Sequence, residues 1–134
     1  MNKDYHNGLQ YLEAGKMREA EESFLKCLSE NPEDALIHNK LGLVYAKVEN
    51  YDKAKEHFHK ALQISPKLAP AWNNLGNIAR QEGDLEQASI YYKEALAIDP
   101  ENTTPLRNLR MVEKQLKWTP SIFQLFRRNR HGKS

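Results

Sequence analysis

Apolar residues recur along the chain at helical spacing, in stripes separated by short polar breaks. Met17, Ala20, Phe24, Cys27 and Leu28 follow the i, i+3, i+4, i+7 spacing of one helix face. Tyr51, Ala54, Phe58, Ala61, Leu62 and Ile64 draw the same stripe, and Leu85, Ala88, Tyr91, Tyr92, Ala95, Leu96 and Ile98 draw it again. Each stripe follows another periodic segment: Tyr5, Leu9, Tyr11 and Leu12; then Leu36, Leu41, Leu43, Val44 and Val48; then Trp72 and Leu75. Ala14-Gly15-Lys16, Glu49-Asn50 and Gly83-Asp84 break the chain within each pair. Asn31-Pro32, Ser65-Pro66 and Asp99-Pro100 end each pair, because proline disfavours helical geometry in the residue before it. The pattern predicts three helix–turn–helix units. Pro70 and Pro105 fit the first turn of a helix, where a missing N–H costs nothing.

The units are in phase. Trp72, Leu75, Gly76, Ala88, Tyr92, Ala95 and Pro100 lie 34 residues after His38, Leu41, Gly42, Ala54, Phe58, Ala61 and Pro66. A weaker copy precedes them: Gly8, Ala20, Phe24, Cys27 and Pro32. A fixed period of this length marks a stacked repeat architecture. Helices of about 13 residues, roughly 20 Å long, are marginal alone in water and need packing to hold them. Glycine inside a helix costs about 1 kcal/mol against alanine. Gly8, Gly42 and Gly76 share one register, which predicts that a large neighbour approaches each of them closely. Phe24, Phe58 and Tyr92 are the candidates, and Ala20, Ala54 and Ala88 the matching small residues.

These residues resemble the tetratricopeptide repeat (TPR) family. Repeat three departs at Ala79, where the family pattern has tyrosine; repeat two carries His38 in the bulky slot; repeat one departs at Asp4, Asn7 and Cys27. The resemblance covers residues 1–117 and implies an all-α TPR solenoid of antiparallel helix pairs in a right-handed superhelix. Repeats are expected at 1–34, 35–68 and 69–102, a capping helix at 103–117, and a break at Thr119-Pro120 before the tail 118–134. It also implies that the first helix of each pair lines a concave groove. Carried over residue by residue, the groove would hold Tyr5, Leu9, Asn39, Lys40, Leu43, Lys47, Asn73, Asn74, Asn77, Arg80 and Arg107.

Asn amides both donate and accept, so Asn39, Asn73, Asn74 and Asn77 suggest capture of a peptide backbone. Lys40, Lys47, Arg80 and Arg107 would guide a polar or acidic segment. Some TPR cochaperones clamp a C-terminal carboxylate with Lys and Asn. Those positions here are Tyr5, Leu9, Lys40, Pro70 and Asn74, which lack most of the basic groups, so chaperone-tail binding is not expected.

Charge sharpens this picture. The chain has 20 basic and 18 acidic residues. Arg127, Arg128, Arg130 and Lys133 sit in a tail without acids, leaving 16 basic and 18 acidic residues, net −2, in 1–117. A whole-chain argument for nucleic-acid binding therefore fails. The tail joins Trp118, Ile122, Phe123, Leu125 and Phe126 to those basic residues, which allows contact with an anionic membrane surface or nucleic acid. Self-association is a third possibility.

Nothing points to catalysis. No phosphate-binding glycine loop, zinc-protease motif or nucleophile elbow occurs. His57 and His59 are two apart and leave a helix on different sides, and His6, His38 and His131 fall in separate segments, so no metal site is expected. Cys27, the one cysteine, occupies a slot that is Ala61 and Ala95 in the other copies and reads as a buried packing residue. No cofactor and no small-molecule substrate are expected. With no secretory leader visible in the first residues, the expected location is cytoplasmic.

Overall fold

The computed structural model describes residues 3–131, with side chains as far as Trp118. Seven helices appear among the described residues. They are α1 (Lys3–Glu13), α2 (Met17–Glu30), α3 (Ala35–Lys47), α4 (Tyr51–Ile64), α5 (Ala69–Gln81), α6 (Leu85–Ile98) and α7 (Thr103–His131). Helices α1–α2, α3–α4 and α5–α6 make the most extensive contacts, and consecutive pairs join through α2–α3, α4–α5 and α6–α7. The contact of α3 with α5 places first helices of neighbouring units side by side. The fold is an all-α TPR solenoid.

The glycine register is explained by the rings opposite it. A Cβ on Gly8, Gly42 or Gly76 would lie 2.6, 2.4 or 2.5 Å from the Cε1 of Phe24, Phe58 or Tyr92. All three rings are fully buried, so they have little room to give way. Ala20, Ala54 and Ala88 are buried beside them, and Cys27 is buried as its alignment with Ala61 and Ala95 predicts. Burial pushes the Cys27 thiol up, with the charges of Asp4, Glu30 and Asp34 adding to the effect, so this thiol is held in its neutral form.

Turns repeat as well. Gly15, Glu49 and Gly83 all have positive φ, at 77°, 62° and 83°. Glycine adopts this conformation without Cβ strain; glutamate does not. A Glu49→Gly variant should therefore be more stable than wild type by about 0.5–1 kcal/mol, read as a raised denaturation midpoint. Capping differs between units. Asn50 accepts from the Lys53 N–H and Asp84 from the Gln87 N–H, whereas Lys16 provides no side-chain cap.

The last helix departs from expectation. α7 runs continuously from Thr103 to His131, through Thr119-Pro120, where the sequence suggests a break after a capping helix of 103–117. Proline inside a helix forgoes one backbone hydrogen bond and crowds the carbonyl four residues earlier, but residues 121–131 contain no further proline or glycine to end the helix, and helical geometry continues past Pro120. The first part of α7 does cover the last repeat: Pro105, Leu109 and Val112 are buried. Tail side chains beyond Trp118, on which the membrane and nucleic-acid readings rest, lie outside the described residues. Among the described residues, no helix is long and apolar enough to cross a membrane.

Candidate functional site

The first helix of each pair contributes its core face to stacking, which leaves the adjacent face for the groove. On α5, Leu75, Gly76, Ile78 and Ala79 are buried, while Asn73, Asn74, Asn77 and Arg80 are half-buried. On α3, Leu41, Gly42, Val44 and Tyr45 are buried, Lys40 and Leu43 half-buried, and Lys47 exposed.

Between α3, α5 and the start of α4 lies a recess of about 350 Å³. Leu43, Ala46, Tyr51, Phe58 and Ile78 give it an apolar floor; Lys47, Arg80, Asn74, Asn77 and Gln81 give it a polar rim, with Glu49 the one acid. Five residues expected from the sequence meet here: Leu43, Lys47, Asn74, Asn77 and Arg80. Tyr5 lies elsewhere, in a second recess of about 260 Å³ with Leu36, Ile37 and Asp34. Leu9 packs half-buried against the core. Lys40 lines neither recess, and Arg107 is exposed on α7.

The asparagines are not an open row of amides. Asn74 Nδ2 donates to Asn39 Oδ1 at 3.1 Å, and Asn108 Nδ2 donates to Asn73 Oδ1 at 3.2 Å. Both bonds link residues 35 apart in sequence, so one rung recurs from repeat to repeat. Asn39 is only 4% exposed, so its role is to receive Asn74 and not to meet a partner. Asn77 serves the core: the Tyr92 hydroxyl donates to its Oδ1 at 2.7 Å. The equivalent pairs are Leu43 with Phe58 and Leu9 with Phe24, so a polar pair in repeat three replaces apolar ones. Burial raises the Tyr92 hydroxyl above its ordinary value while the Arg80 charge opposes it, so the phenol stays a donor. That pairing was legible by reading two in-phase positions together; reading Asn77 alone as a groove amide missed it.

Removing one rung tests this arrangement. Asn74→Ala leaves the buried Asn39 carbonyl oxygen without its donor and should cost about 1–3 kcal/mol in denaturant unfolding. Asn74→Ala with Asn39→Leu should recover part of that loss, because neither polar partner then remains unsatisfied.

The groove cations are differently placed. Among the described residues, Lys55 pairs with Glu82 at 3.1 Å and Lys60 with Glu33 at 3.8 Å, and neither pair includes Lys40, Lys47, Arg80 or Arg107. Arg80 donates from Nη1 to Met111 Sδ at 3.7 Å. Among the described residues, no group of three or more His, Cys, Asp or Glu side chains could hold a metal ion.

The same architecture is found in solved structures. The first TPR domain of human RPAP3 superposes with a TM-score of 0.81 at 19% identity, covering 88% of this chain and 93% of that one. The Sgt2 TPR domain from Aspergillus fumigatus gives 0.83 at 18% identity, covering 89% and 80%. The first TPR of Spaghetti (RPAP3), bound to the HSP90 peptide SRMEEVD, gives 0.79 at 20% identity, covering 85% and 90%. No curated protein matches the chain. The sequence pattern of the Tetratricopeptide repeat family matches residues 33–101, and a second pattern of that family matches residues 5–34. With three in-phase repeats, each helix pair in place and more than half of its length matched, the chain belongs to the tetratricopeptide repeat family.

Proposed function

We propose that this protein is a non-catalytic interaction module that receives an extended, acidic peptide segment across α3 and α5. The observation that carries this reading is the recess between those helices: an apolar floor beneath Lys47 and Arg80, neither of them in an ion pair among the described residues. An apolar side chain of the peptide would fill the floor, and acidic neighbours would meet the two cations. Asn74 Oδ1 and the Nδ2 groups of Asn73 and Asn77 remain outside the amide rungs and the Tyr92 bond. They supply an acceptor and donors for a peptide backbone.

Peptide binding by similar folds supports the class of partner. RPAP3 TPR domains have been solved with the HSP90 peptide SRMEEVD and the HSP70 peptide SGPTIEEVD, both acidic. Here the basic clamp for a terminal carboxylate is incomplete, since Tyr5, Leu9 and Pro70 stand in three of its positions. The partner segment is therefore internal to its chain, not a free C-terminus. An immobilised array of eight-residue peptides tests this: acidic, neutral and basic sequences around one apolar residue, each with a free or amidated C-terminus. Acidic sequences should bind whether or not the terminus is capped. Binding that required the free carboxylate, or that favoured basic sequences, would sink the proposal.

A further inference from the structure

On α3 and α4, two histidines from separate segments come together. His38 is 7% exposed. Its Nε2 lies 2.9 Å from the Pro32 carbonyl oxygen and its Nδ1 lies 3.1 Å from His57 Nδ1. The two rings stack at a centroid distance of 5.4 Å, and Tyr45 stacks on His57, also at 5.4 Å. Repeat three shows what this arrangement replaces. Trp72 and Tyr91, each 34 residues later, have ring centroids 6.0 Å apart, and Trp72 Nε1 donates to the Pro66 carbonyl at 3.0 Å. Repeat two keeps the bond to the proline carbonyl and exchanges indole and phenol for two imidazoles. Imidazole changes charge between about pH 5 and 8; indole and phenol do not.

The bonds assign the protons. A carbonyl only accepts, so His38 Nε2 carries a hydrogen. Neutral His38 then has its lone pair at Nδ1, and the hydrogen of the Nδ1–Nδ1 contact comes from His57. One added proton can be carried at His57 Nε2 without disturbing that bond. A second cannot: both Nδ1 atoms would then carry hydrogens and face each other at hydrogen-bond distance. The unfolded chain has no such restriction.

We propose that the His38–His57 pair is an acid-sensitive latch that holds α3 on α4 and releases it when both imidazoles take protons. The released helix is the one that presents Lys40, Leu43 and Lys47 on its other side, although the latch does not depend on what the groove binds. Groups around the pair bear on its titration. Glu56 and Lys53 face it from α4, Glu21 from α2, and the Tyr45 ring from α3. The recess beside it is lined by His59, Lys60 and Gln63, with Lys60 paired to Glu33. Burial is the largest influence on His57 and lowers its proton affinity, His38 and Lys53 lower it further, and the two glutamates oppose them. A base with depressed affinity in the folded state leaves the unfolded state holding more protons below the ordinary value of about 6.5. Stability is thus full above that pH and is lost as the pH falls through it.

Denaturant unfolding between pH 8 and 5 tests the latch on wild type, His59→Gln, and a His38→Trp/His57→Tyr variant that installs the repeat-three pair. One excluded proton raises the unfolding constant by up to about tenfold per pH unit. Wild type and His59→Gln should show that component, and the double variant should lack it. Equal pH slopes in all three would overturn the proposal. Should the double variant fail to fold, imidazole nitrogen NMR of wild type decides alone. At pH 8 His38 should be the Nε2–H tautomer and His57 the Nδ1–H tautomer. Independent titration of both rings near their ordinary value, without fixed tautomers, would refute the latch.

Discussion

Phe58→Ala lowers the stability of the protein by about 3–5 kcal/mol, the loss expected when a fully buried aromatic ring is truncated. The Phe58 ring is fully buried and sits against the Cα of Gly42, at the centre of the middle repeat. It also forms part of the floor of the recess between α3 and α5, so the same change widens that recess. Neither helix can close the gap readily, because α3 is held to α4 along its length and each helix also meets the neighbouring repeat. Gly42→Ala offers a control. In wild type the added Cβ would lie 2.4 Å from Phe58 Cε1, which outweighs the roughly 1 kcal/mol gain in helix propensity. In the Phe58→Ala background that clash is gone, and Gly42→Ala should become stabilising. Urea denaturation of the four proteins measures the coupling. Additive effects would mean that Gly42 and Phe58 are not packed as described.

Reversing two charges, Lys47→Glu/Arg80→Glu, weakens binding of an acidic peptide by about 10- to 100-fold and leaves folding nearly unchanged. Lys47 is exposed and Arg80 half-buried, so neither supports the core. Like charges brought together across an interface cost several kcal/mol, more than the loss of a screened rim contact. The loss should shrink as salt is added, since part of it is long-range attraction within the Debye length. Fluorescence polarisation at low and high salt, with circular dichroism to check the fold, measures both effects. Unchanged affinity in the double variant would remove the cations from the recognition surface.

How much of this was legible in the sequence depends on the range of the contact. Helix pairs, breaks and the glycine–ring register follow from spacing within one repeat, and Gly42 opposite Phe58 is such a case. The family resemblance points to Leu43, Lys47, Asn74, Asn77 and Arg80 as candidates, and the structure brings these five to one recess. What spacing could not reveal is which polar atoms satisfy one another across repeats. Asn39 is taken by Asn74, Asn73 by Asn108 and Asn77 by Tyr92, so every member of the supposed amide row also bonds within the fold. His38 and His57 were read as belonging to separate segments. The in-phase aromatic pair Trp72 and Tyr91 was the signal that these two positions touch. Pro120 misled in another way: a residue that ends three repeats in this chain sits inside the continuous α7.

The central claim is that the α3–α5 face receives an acidic internal peptide. Amide chemical-shift mapping tests it most directly, using an amidated eight-residue acidic peptide with one central apolar residue. Shifts are predicted at Leu43, Ala46, Lys47, Asn74, Asn77 and Arg80, saturating together. No saturable shift with any such peptide, or shifts confined to α4 and α6, would contradict the account.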